Sequence, residues 1–368
     1  MSGPLTGVKI LEFSGIGPGP FCGMMLADLG AEVIRLDRPQ SHGRGNSMDF
    51  QNRSKKSITA NLKEPETVIE ILKIIKNVDA IIEGFRPGVM EKLGLGPREC
   101  LQANPNLVFG RMTGWGQEGP LAQSAGHDIN YIALTGALDS IGRKGEAPPP
   151  PLNLIGDYGG GGMMLAYGIL AGILNVKNGG KGQIVDAAMV DGASVLMTMF
   201  YSFKASGFWK EERSSNLLDG GAHFYDTFKC KDGKYLSIGS IEPQFYKILL
   251  EKLELDDERF NKQMDSSIWP ELKSLVSEKV LTKTRDEWAA IFDGTDACVA
   301  PVLSLSEAPL NQHLKSRRTF VEQDGFMQPA PAPRFSETPN QIKHGPCKAG
   351  EHNSEIAELF NLDLSKLG

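Results

Sequence analysis

Three titrating residues stand at turns or helix starts. His127 lies between Gly126 and Asp128, Asp157 follows Ile155-Gly156 and precedes Tyr158 and four glycines, Gly159 to Gly162, and Glu242 stands directly before Pro243. Imidazole and carboxylate are the groups that most often serve as general acids and bases near neutral pH. Each also has an ordinary structural explanation. A histidine is more often a hydrogen-bonded framework group, and a carboxylate at a helix start is an N-cap or complements the helix dipole. A second kind of chemistry is suggested by Ser14-Gly15-Ile16-Gly17-Pro18-Gly19-Pro20, a glycine-rich turn placed where dinucleotides bind, between a strand and a helix. Its spacing does not fit G-x-G-x-x-G. Starting at Gly15 puts Pro20 at the third glycine, and starting at Gly17 puts Cys22 there. Asp37 stands about where a ribose-binding acid would, but Arg38-Pro39 follows it and suits a phosphate better. No G-x-x-x-x-G-K-[ST] phosphate loop occurs, so a tight turn explains these glycines at least as well as a ligand does.

Arg38, Arg44, Arg53, Lys55, Lys56 and Lys63 form a local cationic strip, with Arg86 and Lys92 further on. Such a run is usually a solvated face unless another feature points to a phosphorylated ligand. The net charge of -6 over 368 residues removes any global electrostatic case for nucleic-acid binding. Five scattered cysteines with no CxxC indicate neither a disulfide framework nor a metal site, and predict reduced thiols inside a cell. Met1 runs almost directly into Val8–Phe13, which leaves no room for a secretory leader. No stretch approaches the ~20 apolar residues of a membrane span, Met163–Leu174 being short and glycine-punctuated. An intracellular soluble protein is the expectation.

The elements that must position these residues alternate in the first half of the chain. Strands are predicted at Val8–Phe13, Ala31–Leu36, Val78–Ile82 and Leu107–Met112, with helices at Pro20–Leu29 and Glu66–Lys76. Repeated βα alternation points to an α/β, Rossmann-like, doubly wound domain. After the proline run Pro148–Pro151, two long apolar helices are predicted over Gly160–Asn175 and Asp186–Phe203. A hairpin of His223–Lys229 and Tyr235–Ser240 follows, turning at Lys231-Asp232-Gly233. Helices over Pro243–Lys252, Trp269–Lys279 and Arg285–Phe292 and a buried strand Ala297–Val302 complete a small α+β domain. The proline-rich Gln328–Arg334 reads as a second crossing between domains. The boundaries expected are a large domain over 1–187 completed by 332–368, a linker helix and loop over 188–222, a small domain over 223–309 and a return linker over 310–331.

Eight ordered segments carry a resemblance. They are Pro18-Gly19-Pro20-Phe21-Cys22 with Leu26-Ala27-Asp28; Arg86-Pro87-Gly88-Val89-Met90-Glu91-Lys92-Leu93; Ala125-Gly126-His127-Asp128-Ile129-Asn130-Tyr131; Pro151-Leu152-Asn153-Leu154; Gly180-Lys181-Gly182-Gln183; Leu218-Asp219-Gly220-Gly221-Ala222; Ile241-Glu242-Pro243-Gln244-Phe245-Tyr246; and Gly294-Thr295-Asp296-Ala297-Cys298-Val299. Together they resemble the α-methylacyl-CoA racemases of the family III CoA-transferases, over nearly the whole chain. The resemblance implies epimerisation of 2-methylacyl-CoA thioesters by a 1,1-proton transfer. No cofactor is implied, because CoA enters as part of the substrate. It also implies an interlocked homodimer with an active site shared between subunits. Its catalytic residues fall on His127 and Asp157, the histidine acting on the S epimer and the aspartate on the R epimer, with Glu242 as partner of the imidazole from the other subunit. Its CoA contacts fall on Arg38, Ala60, Asn61, Leu62, Lys63, Arg86, Lys92, Gly126, Asp128, Ile129, Asn130 and Tyr131. Lys92 keeps the positive charge of an arginine without the planar fork.

The chemistry of such a reaction needs a base near the α-hydrogen, an acid on the opposite face, and donors toward the enolate oxygen. The Asp157 backbone N–H at a helix start is a candidate donor. Met112, Met163, Met164, Met189, Met197 and Met199 are either core or a flexible wall for a swinging acyl chain. The compartment implied is a peroxisome or mitochondrion, although Ser365-Lys366-Leu367 is followed by Gly368. Competing readings are a family III CoA-transferase with Asp157 as nucleophile, a nicotinamide dehydrogenase, disfavoured by the failed fingerprint, and a non-catalytic CoA-binding module.

Overall fold

A computed structural model describes residues 3–368. β1 (Lys9–Phe13), β2 (Glu32–Asp37), β3 (Lys55–Thr59), β4 (Ala80–Glu83), β5 (Val108–Thr113) and β6 (Gln183–Ala188) form a sheet in the order β3-β2-β1-β4-β5-β6, every neighbouring pair parallel. Alternate residues of the strands divide between two cores, as a period of two requires. Leu11, Ile34, Ile81 and Phe109 face one core with Ile71, Ile74, Cys100, Ile356 and Phe360. Ile10, Val33, Ala80 and Val108 face the other with Cys22, Leu26, Leu165, Ile169 and Ile173. Helices therefore cover both faces, and near-continuous apolar strands such as Ala80-Ile81-Ile82 follow from that double burial.

β3 and β6 were not predicted from sequence. β3 reads Lys-Lys-Ser-Ile-Thr, yet Lys55 is fully buried and its Nζ lies 2.7 Å from the equally buried Glu12 of β1. Arg53 is likewise buried against Asp28 at 2.5 Å. Two members of the cationic strip are thus framework charges, not a solvated face. β6 falls at the expected start of the helix Asp186–Phe203. Pairing of Gln183–Ala188 with Val108–Thr113 overrides that helical pattern, and the helices run instead over Met189–Leu196 and Thr198–Ala205.

The helix expected from Gly160 begins earlier. Leu154–Met163 is π-helical and continues as the α-helix Met164–Lys177. This 24-residue run is long and apolar enough to cross a membrane by length and composition, which the sequence had not suggested. In the fold its Leu165, Ile169 and Ile173 pack into the core beside the sheet.

The chain forms two compact units. The first comprises the described residues through Thr135, with Leu152–Met197 and Gln312–Gly368; the second comprises Gly136–Pro151 and Thr198–Asn311. Gly136–Pro151, expected in the large domain, belongs to the second unit because Arg143 grips Asp226 with two hydrogen bonds of 2.7 Å. The segment expected as a return linker lies in the first unit from Gln312. There β10 (Phe320–Gln323) and β11 (Phe326–Pro329) pair through Asp324-Gly325, both at positive φ, as a two-residue hairpin turn requires. The second unit has an antiparallel sheet of β7 (Tyr225–Lys229), β8 (Tyr235–Gly239) and β9 (Val299–Pro301), ordered β7-β8-β9. β9 is shorter and less buried than the strand expected over Ala297–Val302. Phe224, Tyr246, Leu249, Trp269, Leu272 and Trp288 form its core.

Candidate active site at the sheet switch point

The order β3-β2-β1-β4 means that the chain leaves β1 in opposite directions on its two sides. In open α/β sheets the crevice beyond the carboxyl ends of the strands at that point is where ligands bind. A cavity of about 830 Å³ lies there in the first unit. Phe13 through Pro20 after β1, Gly84 through Pro87 after β4 and Thr113 through Trp115 after β5 supply its walls, and His127 and Asp157 both face it. The glycine-rich turn therefore lines a cavity as well as closing a loop. Gly17 has φ 69°, and a Cβ there would come within 3.3 Å of Asp157 Oδ2, so glycine meets both a backbone and a space requirement.

Asp157 lies in the first turn of the π-helix, whose N-cap is Asn153. π-helical turns are uncommon and recur at functional sites. The glycines after it allow close packing. A Cβ on Gly160 would lie 2.5 Å from Ala193 N, and one on Gly162 would lie 2.8 Å from Phe21 Cδ1 and from Pro18 O. The Asp157 carboxylate accepts a hydrogen bond from Asn153 Nδ2 at 3.1 Å. Burial pushes its pKa up, opposed by that bond and by His127 and reinforced by Asp128. Asn153 was not singled out for a role from sequence, although its position four residues before Asp157 on a helical element is a usable signal. The Asp157 N–H is not free for an enolate oxygen: it donates to Asp128 Oδ2 at 2.7 Å.

His127 is exposed at the N-cap of the helix Asp128–Leu134. Asn130 Oδ1 accepts from its backbone N–H at 3.0 Å, and the two residues form a capping box at the start of that helix. Tyr131 anchors the turn by donating its hydroxyl to Gly126 O, and Trp115 packs edge-on against Tyr131 with ring centroids 4.8 Å apart. Trp115 was also missed, since nothing in its local spacing marks it.

Of the expected CoA contacts, Arg38, Arg86, Gly126 and Tyr131 line this cavity, with the two arginines exposed. Arg38 also lines an adjoining cavity of about 430 Å³ with Arg44. Ala60, Asn61, Leu62 and Lys63 follow β3, two strands away from β1, and do not line the main cavity. Ala60 is in the core and Asn61 donates its N–H to Leu367 O. Lys92, Asp128, Ile129 and Asn130 do not line it either. Glu242 is exposed in the second unit as the N-cap of Pro243–Leu253 and makes no side-chain cap bond. Of the methionines, Met112 and Met189 line the cavity.

The fold is a doubly wound sheet with a cavity at its switch point, and the comparisons with known proteins give its class. The model of CoA-transferase family III matches residues 5–353. The chain belongs to that family. It is 45% identical to the α-methylacyl-CoA racemase of Mus musculus over 366 residues, covering 99% of this chain and 95% of that protein. It is 43% identical to the human α-methylacyl-CoA racemase over 368 residues, with the same coverage of 99% and 95%. Among solved structures, a CAIB/BAIF family protein from Brucella suis superposes with a TM-score of 0.82 at 25% identity, over 98% of this chain and 100% of that one.

Proposed function

We propose that this protein is an α-methylacyl-CoA racemase, interconverting (2R)- and (2S)-2-methylacyl-CoA thioesters by moving one proton. The observation that carries the reading is the convergence of two unlike titrating groups, His127 and Asp157, on one cavity in a chain so similar to two racemases. One group removes the α-hydrogen to leave an enolate, and the other returns a proton to the opposite face. After one inversion the pair has exchanged protonation states. The raised pKa of Asp157 suits it to hold the proton when His127 is the base. The Asp157 N–H, already donated to Asp128 Oδ2, does not serve the enolate oxygen.

Arg38 and Arg86 at the cavity rim hold the CoA phosphates, with Lys63 and Lys92 reached by the outlying part of the ligand. The His127 imidazole, exposed in one chain, takes Glu242 from the other subunit of an interlocked homodimer. The expected result is that His127→Ala and Asp157→Ala each lower epimerisation at least about a hundredfold, with the fold retained by circular dichroism. A CoA-transferase reading is favoured by the family itself and by the cavity-facing Asp157 carboxylate, which could attack an acyl carbon. Exchange of the α-hydrogen with deuterium oxide, with no acceptor acid present, separates the two. Exchange supports the racemase, and its absence overturns it.

A further inference from the structure

Asp128 is placed by the family resemblance among the CoA contacts, but its carboxylate turns inward. The residue is 5% exposed and does not line the main cavity. Its Oδ2 accepts the Asp157 N–H at 2.7 Å, while Oδ1 is buried with no hydrogen-bond partner among the described residues. Gly156 makes room for this approach: a Cβ there would stand 2.6 Å from Asp128 Oδ2 and 2.9 Å from its Cγ. One side chain thus ties the residue adjacent to His127 to the backbone that carries Asp157.

We propose that Asp128 is a positioning residue for the proton-transfer pair, fixing the Asp157 backbone relative to His127 and setting a negative charge beside the Asp157 carboxyl. Besides Asp128, the Asn153 amide bonds that carboxyl, and the His127 imidazole and the Tyr131 phenol interact with it electrostatically. Of the other elements packed on the π-helix, Met189–Leu196 carries Asp191, Pro18–Asp28 carries Cys22 and an Asp28 neutralised by Arg53, Met164–Lys177 carries Tyr167 and Lys177, and β5 and β6 carry Arg111 and Asp186. Asp128 makes no ion pair among the described residues, so its charge acts on Asp157 without local neutralisation. Burial is the main cause that raises the Asp157 pKa, and the like charge of Asp128 adds to it.

The inference rests on the racemase reading for its catalytic meaning, but its structural content is read separately. Asp128→Asn keeps an oxygen able to accept the Asp157 N–H and removes the charge; Asp128→Ala removes both. Carbon NMR titration of the Asp157 carboxyl, its resonance assigned by its loss in Asp157→Asn, is expected to show a midpoint at lower pH in Asp128→Asn than in the unmutated protein. In epimerisation assays, Asp128→Ala is expected to lower kcat about tenfold or more while KM for the acyl-CoA stays within about twofold. An unchanged Asp157 midpoint in Asp128→Asn overturns the proposal, as does a raised KM with unchanged kcat. If the unmutated protein exchanges no α-hydrogen with solvent, the racemase reading fails, and the titration still decides the role of Asp128.

Discussion

Burial governs His223 more than its neighbours do. It is fully buried among Phe224, Tyr246 and Phe260, with Nε2 2.6 Å from the Tyr246 hydroxyl and Nδ1 unpartnered among the described residues. Its pKa falls from 6.5 to about 4 because the charged form would lose its hydration. The folded state therefore binds fewer protons than the unfolded state between those values, and stability rises with pH across that window. On acidification from 6.5 toward 4 the group is expected to cost on the order of 3 kcal/mol. Urea unfolding at pH 7 and pH 4.5 checks this. His223→Gln, which cannot take up the proton, is expected to show a smaller difference between the two conditions, and an equal difference would contradict the assignment.

At the scale of elements, the parallel sheet carries charges where its neighbours bury apolar side chains. Lys55 of β3 reaches across to Glu12 of β1 and also donates to Pro20 O at 2.9 Å and Asn52 Oδ1 at 3.2 Å. Glu83 of β4 pairs with Arg111 of β5 at 2.8 Å, and Glu83 also accepts the Phe85 N–H at 2.8 Å. The first group ties the helix that follows the glycine-rich turn to the sheet, and the second holds the loop bearing Arg86. Removing one member of a buried pair strands the other charge, which costs roughly 3–5 kcal/mol, whereas replacing both is far milder. Lys55→Met is therefore expected to lower the denaturant midpoint strongly, and Glu12→Leu combined with Lys55→Met to recover much of the loss. Additive destabilisation in the double variant would show that the pair is not the source.

At the scale of the whole molecule, His127 belongs to the first compact unit and Glu242 to the second. If Glu242 serves the imidazole of the other subunit, defects in the two residues should complement in hybrid dimers. Coexpression of His127→Ala with Glu242→Gln, each carrying a different tag, yields hybrids with one doubly defective site and one intact site. Sequential affinity purification followed by epimerisation assay is expected to recover about half of the unmutated activity per dimer, by counting sites. No recovery above the two parental variants would place both residues in one subunit's site.

Periodicity and turn chemistry alone determined much of the first unit. The strands β1, β2, β4 and β5 and the helices between them are apolar at the right spacing, and their alternation points to a parallel sheet, whose order and switch point beside β1 the fold then shows. The family resemblance marked His127, Asp157, Arg38 and Arg86, and these four line one cavity. Tertiary structure decided what local pattern could not. β3 is a strand because β2 pairs with it and its Lys55 finds the buried Glu12 from a distant segment, and β6 because β5 offers it a hydrogen-bonding edge. The π-helix around Asp157 depends on glycines meeting Pro18, Phe21 and Ala193 across the fold, and the inward turn of Asp128 depends on the gap left at Gly156. Each of these is a pairing between residues far apart in the chain, and a local window contains only one of the partners.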